Sequence, residues 1–299
     1  MSILVVGSIA LDTIQTPTGK RVDALGGSAT YFSYAASFFS KVRMVGVVGS
    51  DFPKEHVRML EKRGIDIQGL EIVDGKTFRW SGSYDGDLNK ATTHRTDLNV
   101  FGAFKPKIPA SYKATPYVFL ANIDPDLQRD VLRQVRRPKL VIADTMNLWI
   151  DIKRDSLVQL LRDVDIMIMN DAEIAQLTGE HNIIRAARKV LSYGPSYIVV
   201  KKGSHGAVLI GKSEFFSAPA YPLAELHDPT GAGDTFAGGF VGYLASVKKA
   251  DRLTLRRAVI YGSVVASYNV EDFSLERLKK TKKADIIKRL KEIKKMVSW

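Results

Sequence analysis

Asp228-Pro229-Thr230-Gly231-Ala232-Gly233-Asp234 closes a short glycine turn on an acid, and a run of helical character follows at once over residues 235–248. Small residues at 231–233 let successive backbone N–H groups turn toward one point, and a helix N-terminus adds the positive end of its dipole there. Such a point attracts an anion. A carboxylate inside it repels that anion, so Asp234 is a poor structural choice unless it takes a proton from an attacking nucleophile. An Asp capping a helix after a turn is the ordinary alternative for an isolated pattern of this kind, and the full seven-residue string favours the base.

Working outward, short apolar and β-branched runs recur at residues 3–6, 44–48, 117–121, 140–143, 166–169, 197–200 and 207–210. Segments of helical periodicity separate most of them, among them 54–63, 126–135, 154–161 and 183–191. This alternation predicts an α/β fold with a doubly wound, mostly parallel sheet and helices on both faces. Ligands in such sheets bind beyond the carboxyl ends of the strands, where Asn122, Asp124, Asp144 and Asn170 fall.

Two polar, turn-rich stretches, 13–25 and 72–104, break the alternation. The second carries extended pieces at 76–84 and 91–96 around Asp85-Gly86-Asp87-Leu88-Asn89, which reads as a hairpin standing off the main sheet.

With 299 residues, 45% of them hydrophobic, the chain can bury a large core. It reads as a single domain over residues 1–299, because no linker, repeat or low-complexity tract interrupts it. The apolar start, residues 3–7, is too short for a signal or a membrane span. The absence of cysteine excludes disulfides and thiolate metal sites. Together these predict a cytoplasmic protein with no membrane partner.

The net charge of +12 raises the question of nucleic acid. Residues 276–299 hold ten Lys and Arg against Glu276, Asp285 and Glu292. Ile286, Ile287, Leu290, Ile293 and Val297 recur there at helical spacing, so the tail reads as a docked basic helix with a solvated face. Nucleic acid is therefore not the expected partner.

The glycine turn resembles the second signature of the PfkB, or ribokinase-like, kinases. Gly26-Gly27 before residues 29–39, Val45-Gly46-Val47-Val48-Gly49-Ser50-Asp51, Asn170-Asp171-Ala172-Glu173 and Lys202-Gly203-Ser204-His205-Gly206-Ala207 follow that family's order and spacing, over residues 3–275. The resemblance implies a ribokinase-like sheet with a small β-sheet lid, formed here by 13–25 and 72–104, which often also makes a homodimer contact. It implies ATP-dependent, Mg2+-requiring phosphorylation of a hydroxymethyl group on a sugar or sugar-like polyol, with a nucleoside as the alternative acceptor.

Residue by residue, the resemblance implies Asp234 as base and the backbone of Gly231, Ala232, Gly233 and Asp234 as anion hole. Asn170 and Glu173 match the element that orders Mg2+ around the triphosphate, although as plain sequence they equally form a helix cap and its capping-box acid. Lys201, Gly203, Ser204 and Gly206 match the nucleotide loop, with Lys201 where the family commonly has Thr, so that it either touches phosphate or faces water. Asp12, Gly26, Gly27, Tyr31, Asn122 and Asp124 fall on the acceptor side. Ala10 and Tyr31 replace Asn residues of ribokinase-type members, and Phe32, Trp80 and Tyr84 add aromatic character suited to stacking a base, although each taken singly reads first as a core residue. Asp228 and Thr230 match a monovalent-cation site, expected to take K+, but residues 269–274 lack the family's usual Gly-Ala. The rival from another class is a non-catalytic nucleic-acid-binding protein on a kinase scaffold, which has little use for Asp234.

Overall fold

The β-branched runs pair into strands in the computed structural model of the chain, which describes every residue except Asp87, Asn89 and Trp299. The strands are β1 (Ser2–Val6), β2 (Ala10–Thr16), β3 (Gly19–Gly26), β4 (Lys41–Gly49), β5 (Ile65–Val73), β6 (Phe78–Ser83), β7 (Thr92–Asp97), β8 (Tyr117–Leu120), β9 (Leu140–Asp144), β10 (Ile166–Asn170), β11 (Tyr197–Lys201), β12 (Ala207–Gly211) and β13 (Glu214–Ala218). Nine form one sheet in the order β13-β12-β11-β10-β9-β8-β1-β4-β5. Pairing is parallel from β5 through β11, and β12 and β13 complete the sheet antiparallel.

Successive residues of a strand point to opposite faces, and both faces of this sheet are covered. Ile3 and Val5 enter one apolar layer with the helices Ser28–Ala36, Ala232–Val247 and Arg252–Asn269. Leu4 and Val6 enter the other with Pro125–Gln134, Arg154–Leu161 and Ile183–Leu191. Double coverage is why these strands read as continuous apolar runs.

Glycines inside the helix Ala232–Val247 cost about 1 kcal/mol each relative to Ala, and helix packing explains them. A Cβ at Gly238 would lie 2.5 Å from the Phe32 carbonyl, and one at Gly239 would lie 3.1 Å from Gly262 Cα.

A second sheet has the order β3-β2-β6-β7. Its β6–β7 pair is an antiparallel hairpin, and β2 pairs with β6 in parallel. The turn read at Asp85-Gly86-Asp87-Leu88-Asn89 lies partly outside the described residues, at Asp87 and Asn89. Residues 72 and 73 belong to β5 of the main sheet, not to the small sheet, and β2 begins at Ala10, so Asp12 is a residue of the small sheet.

The basic tail is two helices, Glu276–Lys280 and Lys283–Met296. Leu278, Ile286 and Ile293 are buried, whereas Ile287 and Val297 are 45% and 51% exposed. Adjacent residues on a helix point about 100° apart, so Ile286 and Ile287 cannot both face the core. No helix among the described residues is long and apolar enough to cross a membrane.

Candidate active site

Gly231 caps the helix Ala232–Val247 with φ 73°, a left-handed conformation that favours glycine. A Cβ there would also overlap the ring of Tyr31. The turn is held from within: Ala232 N–H donates to the Pro229 carbonyl at 3.1 Å and Thr235 N–H to the Gly231 carbonyl at 2.8 Å. Among the described residues the N–H groups of Gly231, Gly233 and Asp234 have no carbonyl partner. Ala232 N–H is thus engaged inside the turn, while its three neighbours are left without a carbonyl acceptor at the head of the helix.

Burial, then the nearby Asp144 carboxyl, pushes Asp234 up to about 7 against the pull of Lys201. A carboxyl poised there changes protonation near neutrality, which suits a general base.

Three adjacent strand ends supply the groups around it. Asp144 closes β9, Asn170 closes β10 and Lys201 closes β11, with Asn170 and Lys201 register partners. Lys201 Nζ donates to Asp144 Oδ2 at 3.0 Å. It also lies 2.9 Å from the position of a Cβ on Gly233, directly against the turn. Burial works against the charge on Lys201, but Asp144, Glu173 and Asp234 hold its titration above the ordinary lysine value. Lys201 is therefore not a lysine reaching into water.

Asn170 and Glu173 form a reciprocal capping box: Glu173 N–H donates to Asn170 Oδ1 at 2.7 Å, and Asn170 N–H to Glu173 Oε2 at 2.7 Å. Glu173 is nonetheless buried, and that burial raises it to about 7, with Lys201 opposing and Asp144 adding to the rise.

On the other side of the turn, Asp12 is 4% exposed. Burial, with the Asp228 and Asp234 carboxyls, pushes it up to about 8. The backbone of Gly26 runs directly over it, since a Cβ there would overlap the Asp12 carboxylate. Gly27 caps the helix Ser28–Ala36. The hydroxyl of Tyr31 is buried without a hydrogen-bond partner among the described residues. Tyr84, at the end of the small sheet, accepts a hydrogen bond from Thr230 Oγ1 at 3.2 Å, joining that sheet to the turn.

Two acceptor-side candidates have other engagements. Asn122 Oδ1 accepts from Trp149 Nε1 at 3.0 Å. Asp124 caps the helix Pro125–Gln134 through Asp126 N–H at 2.8 Å and pairs with Lys153 at 3.5 Å. Trp80 Nε1 donates to Thr93 Oγ1 at 3.1 Å, and its ring packs with Ile14, Tyr84 and Phe273.

Beside the turn opens a cavity of about 530 Å³ lined by Lys201, Gly203, Ser204 and Gly206, and by Tyr221, Leu226, Phe236 and Val270. Nothing in the sequence marks Tyr221 or Leu226, because an irregular loop carries no periodicity. Asp144, although at a strand end, matches none of the quoted motifs, and only the fold pairs it with Lys201.

The model of the pfkB family carbohydrate kinases matches residues 2–281. A cytidine kinase of Thermococcus kodakarensis is 30% identical over 272 residues, covering 86% of this chain and 95% of the relative. A nucleoside kinase of Methanothermobacter thermautotrophicus is 30% identical over 290 residues, covering 90% and 89%. Among solved structures, a candidate ribokinase II from E. coli in complex with ATP and Mg2+ superposes with a TM-score of 0.80 at 18% identity, covering 97% of this chain and 99% of that one. The nine-stranded sheet, the small second sheet and the acid-closed turn accord with that match, and the chain belongs to the pfkB family of carbohydrate kinases, enzymes that phosphorylate hydroxyl groups.

Proposed function

We propose that the protein transfers the γ-phosphoryl group of ATP to the hydroxymethyl group of a nucleoside. The observation that carries the transfer is the Asp234 carboxyl, raised by burial to about 7, in the first turn of the helix Ala232–Val247, where the N–H groups of Gly231, Gly233 and Asp234 have no carbonyl partner among the described residues. In this reading the acceptor O–H gives its proton to Asp234 as its oxygen bonds to phosphorus, and the bond to the leaving ADP breaks. The N–H groups of Gly231, Gly233 and Asp234 stabilise the charge on the transferring group. Lys201, beside the same turn, adds a fixed cation, and the apolar part of the cavity takes the base of the donor. Gly203, Ser204 and Gly206 also line that cavity and would meet the phosphate groups of the donor.

Mg2+ would suit the hard oxygens of Asn170 and Glu173, reached through its water shell rather than directly because Asn170 Oδ1 and Glu173 Oε2 each already accept a backbone N–H of the capping box. When bound it neutralises phosphate oxygens.

Sugar stands first in the sequence reading; what supports a nucleoside here is that a cytidine kinase and a nucleoside kinase are among the relatives similar over most of their lengths. Asp12 would accept ribose hydroxyls, with Gly26 and Gly27 close by and the small sheet as lid. A free sugar or polyol is the second reading, favoured by the same Asp12, which binds paired hydroxyls with or without an attached base. The test is ADP release with ATP and Mg2+ against a panel of nucleosides and of free pentoses and hexoses. Preference for a free sugar overturns the nucleoside assignment, and no turnover with any acceptor overturns both.

A further inference from the structure

Asn269 ends the helix Arg252–Asn269 and is completely buried. Its Nδ2 donates to the Thr230 carbonyl at 2.8 Å, and its Oδ1 accepts from Thr235 Oγ1 at 3.1 Å. Thr230 and Thr235 bracket residues 231–234. One neutral carboxamide therefore ties both ends of the turn.

The neighbouring oxygens that a monovalent cation would need are likewise engaged. Asp228 Oδ1 accepts from Thr230 N–H at 2.9 Å, and Oδ2 accepts from Ser274 N–H at 3.1 Å. Thr230 Oγ1 donates to Tyr84. A cation is held by lone pairs on several oxygens at once. Here the Thr230 carbonyl and both Asp228 oxygens each already accept from an N–H donor, which leaves them fewer lone pairs for a cation and ties the turn together without one. The family's K+ site does not fit these residues.

We propose that Asn269 is a positioning residue that does with two hydrogen bonds what a bound monovalent cation would do, and that catalysis by this protein is independent of K+. The proposal rests on the reading of residues 231–234 as the anion hole. A donor removed next to that hole loosens the transition-state contacts more than ground-state nucleotide binding, so it lowers kcat and leaves the KM for ATP nearly unchanged.

The experiment compares the full-length protein in KCl, NaCl and choline chloride at matched ionic strength, with Asn269→Asp and Asn269→Leu alongside. Two quantities are read: steady-state kcat and KM, and the Tm of the unliganded protein. The wild type should change by less than about twofold among the three salts, with no K+-specific rise in Tm. Both variants should lose roughly tenfold or more in kcat, as expected for one buried hydrogen bond. Asn269→Asp, which replaces the donor by a carboxylate, should recover part of that loss in KCl and gain a K+-specific rise in Tm. Activation of the wild type by K+ of about tenfold or more, a K+-specific rise in its Tm, or an Asn269→Leu variant with unchanged kcat overturns the proposal. The Tm comparison needs no acceptor, so it stands apart from failure of the functional reading.

Discussion

Lys201 Nζ lies 3.0 Å from Asp144 Oδ2, the two side chains meeting across the end of β10 with 17% and 3% of their surface exposed. A buried pair of this kind is costly to break, because removing one partner strands the other charge. Asp144→Asn should therefore destabilise the fold by about 3–5 kcal/mol. The double variant Asp144→Leu with Lys201→Met should cost clearly less than Asp144→Asn alone. Denaturant unfolding of the single and double variants measures this, and an additive result would show that the pair is not coupled.

Asp234→Asn keeps the shape of the turn and removes the base. Turnover should fall by roughly 10² to 10⁴, while ATP affinity holds or improves because a carboxyl no longer competes with phosphate for the N–H groups. Near-normal turnover with the preferred acceptor would remove Asp234 from the mechanism. Kinetics with parallel nucleotide-binding measurements separate the two effects.

The raised carboxyls give opposite pH trends for activity and for stability. A base titrating at about 7 should make kcat rise with pH through that value and then level. Asp12 near 8, with Glu173 and Asp234 near 7, keep their protons when folded, whereas the unfolded chain gives them up near 4. Between those limits the native state holds more protons, so stability falls as pH rises from about 4 to about 8. Thermal melts of the unliganded protein should thus shift upward by several degrees on going from about pH 9 to about pH 5. Asp234→Asn should remove part of that dependence.

The sequence exposes the parts of this fold that are buried on both faces. β1, β8, β9, β10 and β11 are continuous apolar runs because helices cover both sides of them, whereas β5 and β13 escape notice as edge strands of mixed burial. The glycine turn is legible because Gly231 and Gly233 have few substitutes beside Tyr31 and Lys201. The partners of the turn are not. Asn269 lies 35 residues beyond Asp234 in an unremarkable helical stretch, and Lys201 and Asp144 are 57 residues apart. Asn122 and Asp124 show the converse: a strand end carries polar residues for capping and for bonding to Trp149 as readily as for a ligand.

Acceptor recognition should run through Asp12. Its carboxyl, raised by burial to about 8, can donate as well as accept, which matches paired hydroxyls. Asp12→Ala would leave buried acceptor hydroxyls without a partner and should cost on the order of 1–3 kcal/mol of acceptor binding. Steady-state kinetics should show this as a rise in the acceptor KM far exceeding any change in the KM for ATP. Equal effects on both would place the defect in folding or in another pocket.

The basic C-terminal helix separates surface charge from structural charge within one element. Lys288, Lys291 and Lys294 are exposed, and solvated charges of this kind contribute under about 1 kcal/mol. Arg289 is different. It stacks 3.6 Å over the Tyr268 ring and 4.4 Å over Tyr221, donates to Ser267 Oγ at 2.7 Å and pairs with Glu271. Tyr221 and Ser267 line the cavity assigned to the donor base. Reversing the three lysines to Glu should leave kcat and the KM for ATP unchanged, while Arg289→Ala should raise the KM for ATP several-fold by releasing the Tyr221 wall. Binding isotherms for a nucleic-acid duplex across a salt series test the remaining alternative. Surface lysines alone predict weak affinity that vanishes with modest salt, whereas a dedicated interface would lose affinity with a log–log slope of about 0.9 per phosphate contacted. Sequence-selective binding that survives physiological ionic strength and disappears in the triple variant would make this helix a nucleic-acid surface rather than a brace for the nucleotide cavity.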